Sequence, residues 1–120
     1  MKKILIVDDE PNIVMALEYT FKKNNFEVYI ARDGQEALDI LQIQLPDIII
    51  LDVMMPMVDG FATLEQIKKN KKLKHCKIIF LSAKNKEKDI EKGLSLGANL
   101  YVVKPFSVKK LVEQVNELTQ

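Results

Sequence analysis

The sequence predicts an α/β fold of (βα)5 type, a doubly wound unit in which helices cover both faces of an open, parallel, five-stranded sheet. Two observations carry this. Apolar runs of strand length alternate with segments of helical periodicity from one end of the chain to the other. The runs are also continuously apolar rather than alternating, as strands buried on both faces are.

The first strand is Ile4 to Val7, flanked by Lys3 and by Asp8-Asp9. Pro11 opens the helix that follows, whose stripe is Ile13, Leu17 and Phe21. Val28 to Ile30 is the second strand. Asp33 and Glu36 then read as a capping box for a helix carrying Ala37, Leu38 and Leu41. The third strand, Ile48 to Leu51, closes on Asp52, and the next helix places Phe61, Leu64 and Ile67 on one face. Ile78 to Leu81 runs into Ser82, and its helix carries Ile90 and Leu94 before Gly97, a residue suited to a left-handed C-cap. Leu100 to Val103 runs into Lys104-Pro105. Ser107 is a suitable N-cap for the last helix, with Val108, Leu111, Val112, Val115 and Leu118 facing inward.

Right-handed crossovers and the strand order 2-1-3-4-5 are expected for such a chain. That order sets the first and third strands side by side at the topological switch point, where ligands bind beyond the strand C-termini. Asp8-Asp9 and Asp52 become neighbours, and Ser82 and Lys104 flank Asp52 from the next two strands.

Composition narrows the function classes. The 120 residues read as one domain, residues 1–120, with 48% hydrophobic side chains and a formal charge of +1. Neither a nucleic-acid footprint nor a bilayer-length apolar stretch is present. One cysteine, Cys76, excludes an internal disulfide, and Met1-Lys2-Lys3 leads into a strand rather than a signal segment. The expectation is a cytoplasmic protein of bacterial type. Lys68, Lys69, Lys71, Lys72, Lys74 and Lys77 form a basic cluster without aromatic residues, read as a solvated face. His75-Cys76 lacks further ligands for a metal.

Three carboxylates, a hydroxyl and an amine at one sheet edge can hold a divalent cation and a phosphoryl group. Asp8-Asp9-Glu10 alone would read as a helix cap; Asp52 and Lys104 at the same edge favour a site. Hard oxygen ligands suit Mg2+, with Mn2+ the alternative, held on Asp9 and Asp52 with Asp8 bound directly or through water. Asp52 is the candidate nucleophile toward phosphorus, with Lys104 on a phosphoryl oxygen or on Asp52 itself and Ser82 on another oxygen.

These residues resemble the receiver domain of two-component response regulators, a flavodoxin-like fold similar to the chemotaxis regulator. The resemblance runs through Val7-Asp8-Asp9-Glu10, Asp47 to Pro56, Asp59-Gly60, Leu81-Ser82-Ala83, Gly97-Ala98 and Lys104-Pro105-Phe106. It implies that Asp52 is phosphorylated by a sensor histidine kinase or phosphotransfer protein, with Mg2+ on Asp8, Asp9, Asp52 and the Met54 carbonyl. It implies a cis Lys104-Pro105 bond, and a switch in which phosphorylation draws Ser82 inward and Tyr101 follows. The fourth helix, fifth strand and fifth helix would then control an output domain or protein partner. Met54 and Lys84 occupy the positions that tune dephosphorylation, and neither orients water, so a long-lived phosphoryl group is expected. Asn12, Ile13, Pro105 and Phe106 are candidate docking residues, although Ile13 also falls on its helix's core stripe. Asn99-Leu100 before Tyr101, with only Lys109 and Lys110 as bases in the last helix, departs from the common salt-bridged dimer; other dimer contacts, dependent on phosphorylation, stay open.

Two rival functions fare worse. A haloacid-dehalogenase-like phosphatase needs a second Asp two residues after the first, and position 54 is Met. A nucleotide- or flavin-binding protein would carry a glycine-rich phosphate loop, and the four glycines are scattered. The chain therefore reads as a phosphoacceptor rather than a turnover enzyme. Its kinase and output are not written in it, and it fits either a stand-alone regulator or the receiver part of a longer one.

Overall fold

A computed structural model describes residues 1–120. The elements are β1 (Lys2–Val7), α1 (Pro11–Lys23), β2 (Phe26–Ala31), α2 (Gly34–Ile40), β3 (Ile48–Leu51), α3 (Gly60–Lys69), β4 (Lys77–Ser82), α4 (Glu87–Ser95), β5 (Leu100–Val103) and α5 (Val108–Leu118), with a short 3-10 turn at Lys71–Leu73. All five strands are parallel, in the order β2-β1-β3-β4-β5. The expected topology is the observed one. No helix is long and apolar enough to cross a membrane.

Strand side chains alternate between two buried layers. Ile4, Ile6, Ile48, Ile50, Ile79 and Leu81 pack under Leu17 and Phe21 of α1 and Leu111 and Val115 of α5. Leu5, Val7, Ile49, Leu51, Ile78 and Phe80 pack on the other side with Ala37 of α2 and Phe61, Leu64 and Ile67 of α3. Each such side chain contributes roughly 1.5–3 kcal/mol when fully buried. The central strands β1, β3 and β4 are therefore covered on both faces, and their C-terminal ends form one edge.

Helix ends follow the sequence signals with one variation. Asp33 accepts the Glu36 N–H at 2.8 Å, but Glu36 reaches back to the Arg32 N–H at 3.1 Å, one residue before the position a standard capping box uses. Ser107 accepts the Lys110 N–H at 3.1 Å. Gly97, at φ +110°, ends α4; its N–H donates to the Leu94 carbonyl and the Ala98 N–H to that of Gly93, the two bonds of a Schellman motif.

The stripe expected on α4 is corrected. Leu94 is 44% exposed, and Gly93 is buried in its stead. A Cβ at Gly93 would stand 2.9 Å from both the Phe80 and Tyr101 rings, so α4 approaches the sheet too closely for a side chain there. The helix is thereby rotated, and Leu94 turns outward.

Candidate functional site

Register builds the site. Val7 pairs with Leu51, so Asp8 and Asp52 follow at adjoining ends of β1 and β3, and the Asp52 N–H donates to the Val7 carbonyl at 2.9 Å. Ser82 is the last residue of β4 and pairs with Val103; the Lys104 N–H donates to the Ser82 carbonyl at 2.8 Å. Four neighbouring strands thus deliver Asp8, Asp52, Ser82 and Lys104 to one edge.

Asp8, Asp52 and Ser82 are buried, at 2%, 3% and 0% exposure. Each of the three uses one oxygen to accept a backbone N–H two residues ahead, from Glu10 at 2.9 Å, Met54 at 3.1 Å and Lys84 at 3.2 Å. The second oxygens of the two acids meet the Lys104 ammonium, 3.0 Å from Asp8 Oδ2 and 3.4 Å from Asp52 Oδ2. Glu10 Oε1 is closer still, at 2.8 Å. The loop leaving β3 turns back so tightly that a Cβ at Gly60 would overlap the Asp52 carbonyl, and the Gly60 N–H donates to the Val53 carbonyl.

One ammonium faces three carboxylates. Burial raises Asp8 above the ordinary carboxylate value, and burial together with the charge of Asp8 does the same to Asp52. Burial works to lower Lys104, but hydrogen bonds to Glu10 and Asp8 and the charge of Asp52 carry it above its usual value. Lys104 is firmly charged, and the excess negative charge of the acids suits a cation. Oxygens of Asp8, Glu10 and Asp52 lie within 4.8 Å of one another, an all-oxygen set of the kind hard divalent cations take.

Asp9 does not join that group. It is exposed and lines, with Met54, Met55 and Lys84, a cavity of about 420 Å³ beside Asp52. Glu10, which the sequence places in the Asp8-Asp9-Glu10 triplet without a role in the site, takes the third place. The Glu10 side chain makes no cap hydrogen bond to α1, so the capping explanation of Asp8-Asp9-Glu10 loses its footing.

The remaining expected residues are placed as follows. Tyr101 donates from its hydroxyl to the Lys84 carbonyl at 2.7 Å, and its ring packs against Phe80 at 5.8 Å between centroids. Burial pushes the phenol up, with the neighbouring Ser82 hydroxyl pulling the other way. Lys84 pairs with Asp89 of α4 at 3.7 Å. The Lys104-Pro105 bond is cis. Met54 is 53% exposed. Asn12 and Pro105 are exposed, whereas Ile13 and Phe106 pack partly against the α1/α5 core, so Ile13 sits on its helix's core stripe.

Features outside the site stay outside it. None of the lysines of the basic cluster pairs with an acid, and three of them line a cavity of about 550 Å³ with Ile67, Asn70 and Leu73. Cys76 is buried, its thiol pushed up to about 12 by burial, while His75 is exposed.

Comparison with known proteins agrees with this geometry. A sequence-family model described as the response regulator receiver domain matches residues 4–116. The receiver domain of the Francisella response regulator 1452 is similar at 33% identity and a TM-score of 0.91, over 99% of this chain and 97% of that one. The chemotaxis protein CheY4 of Vibrio cholerae is similar at 31% identity and a TM-score of 0.92, over 98% of each chain. TrrA of Thermotoga maritima, solved in complex with Mg2+ and BeF, shares 37% identity at a TM-score of 0.85, over 98% and 99% of the two chains.

Proposed function

The chain belongs to the response regulator receiver domain family, and on that premise we propose that Asp52 accepts a phosphoryl group from a sensor histidine kinase or phosphotransfer protein. The observation that supports it most is the buried Asp52 at a strand end, with Asp8 beside it and one ammonium serving both. In the transfer, an Asp52 carboxylate oxygen forms a bond to phosphorus as the donor's phosphorus–nitrogen bond breaks. The imidazole keeps the electron pair and takes a proton. Lys104 neutralises a phosphoryl oxygen, and the Ser82 hydroxyl donates to another. Asp8, Asp9, Asp52 and the Met54 carbonyl would hold Mg2+, or Mn2+, with Glu10 the geometric alternative to Asp9. Such an ion supplies charge compensation for the phosphoryl oxygens.

Tyr101 is the proposed switch, moving as Ser82 is drawn to the phosphoryl group and altering the face of α4, β5 and α5 toward an output domain, a protein partner or a second copy. Asn12, Ile13, Pro105 and Phe106 are the proposed donor-docking residues. The whole of residues 1–120 acts as one cytoplasmic receiver, a phosphoacceptor rather than an enzyme on external substrates, with no contact of its own to nucleic acid or membrane. Exposed Met54 and Lys84 offer no water-orienting acid or amide, so loss of the phosphoryl group is slow; a lifetime of seconds would contradict this. The test of the acceptor is incubation with acetyl phosphate and Mg2+ followed by borohydride reduction and peptide mapping. The modified residue should be position 52, and a label elsewhere would refute the assignment.

A further inference from the structure

The shortest contact of the Lys104 ammonium in the acidic cluster is made by Glu10, outside any part in holding a cation. Glu10 Oε1 lies 2.8 Å from the Lys104 ammonium, against 3.4 Å for Asp52 Oδ2, the oxygen that Lys104 must serve in the transfer. Glu10 is set by the chain turn at Asp8, whose Oδ1 accepts the Glu10 N–H, so its backbone is pinned while its carboxylate projects over Lys104. The Glu10 side chain is 56% exposed and that of Lys104 9%. The ammonium thus lies nearer the Glu10 carboxylate than the Asp52 one.

We infer that Glu10 is a positioning residue that competes with the Asp52 phosphoryl group for Lys104, an inference that rests on the receiver reading above. A phosphoryl group on Asp52 must take Lys104 from Glu10, and the strength of that contact sets how readily the phosphorylated arrangement forms. The contact is a single charge pair, half in solvent, so its effect is graded rather than all-or-none.

The test is a double-mutant cycle on the affinity for beryllofluoride, an anionic phosphoryl mimic, read by calorimetry at saturating Mg2+. Wild type, Glu10→Gln, Lys104→Met and the double variant are compared, with Lys104→Gln as the second background if Lys104→Met does not fold. Glu10→Gln should bind about threefold or more tighter than wild type. In the Lys104 variants the same change should have no effect. Unchanged or weaker binding by Glu10→Gln overturns the inference. So does an equal gain in both backgrounds, which would be a through-space charge effect or a role on the metal. Wild type that binds no beryllofluoride and takes up no phosphoryl group refutes the receiver reading itself, whereas binding with a failed cycle refutes the role of Glu10 alone.

Discussion

Asp8 and Asp52 stand side by side at the ends of neighbouring parallel strands, in register through Val7 and Leu51, both buried and both joined to Lys104. Burial and the charge of Asp8 both disfavour ionisation of Asp52, and Lys104 opposes them.

The first consequence concerns stability and pH. Burial raises both acids, and the charge of Asp8 adds to the rise in Asp52. A carboxyl whose native pKa is raised binds more protons folded than unfolded. Stability is then greatest below the unfolded value, about 4, and falls as pH rises through the native one. Asp52→Asn should therefore stabilise the protein at neutral pH, by about 1 kcal/mol, with the gain shrinking toward the unfolded value. Denaturant unfolding at both ends of that range checks it. Equal stabilities at pH 7 would show that Lys104 already compensates the cluster fully.

Removing the cation should act in the opposite sense. Lys104→Met leaves Asp8 and Asp52 facing each other with no counter-charge, a loss of about 3 kcal/mol at pH 7. The deficit should narrow in acid as the carboxyls take up protons. Thermal melts across pH measure this, and a deficit independent of pH would point to lost packing of the lysine stem instead.

Binding of Mg2+ should raise the melting temperature of wild type, because the acids that would hold it come together only in the folded chain. At a hundred times the dissociation constant the gain is about 2.7 kcal/mol. Asp52→Asn should lose most of it. An equal gain for both proteins would place the ion elsewhere.

On α4, Gly93→Ala should cost about 2 kcal/mol, since its Cβ meets the Phe80 and Tyr101 rings at 2.9 Å. Leu94→Ala, on the outer face, should change stability by no more than about 0.5 kcal/mol. The reverse order would mean that α4 is rotated from its observed seat.

Those two residues also mark where the sequence was legible and where it was not. Continuous apolar runs and the residues that end them foretold five parallel strands and put Asp8, Asp52, Ser82 and Lys104 at one edge, because a parallel sheet fixes where every strand ends. Helix stripes over Leu17, Phe21, Leu64, Ile67, Leu111 and Val115 were readable for the same reason. Periodicity misplaced α4, since it scores apolar side chains and is blind to a glycine that lets a helix sit close. The contact of Glu10 was missed because it depends on where Lys104 lands, 94 residues away. The tilt of Asp9 away from the cluster is likewise a matter of side-chain direction, which residue spacing does not carry.

The central claim, that Asp52 accepts a phosphoryl group, is tested most directly by intact mass after incubation with Mg2+ and acetyl phosphate. Wild type should gain the mass of one phosphoryl group and Asp52→Asn none. A gain in both proteins would mean that another residue is the acceptor, and a gain in neither, with Mg2+ bound and a cognate kinase also tried, would contradict the account.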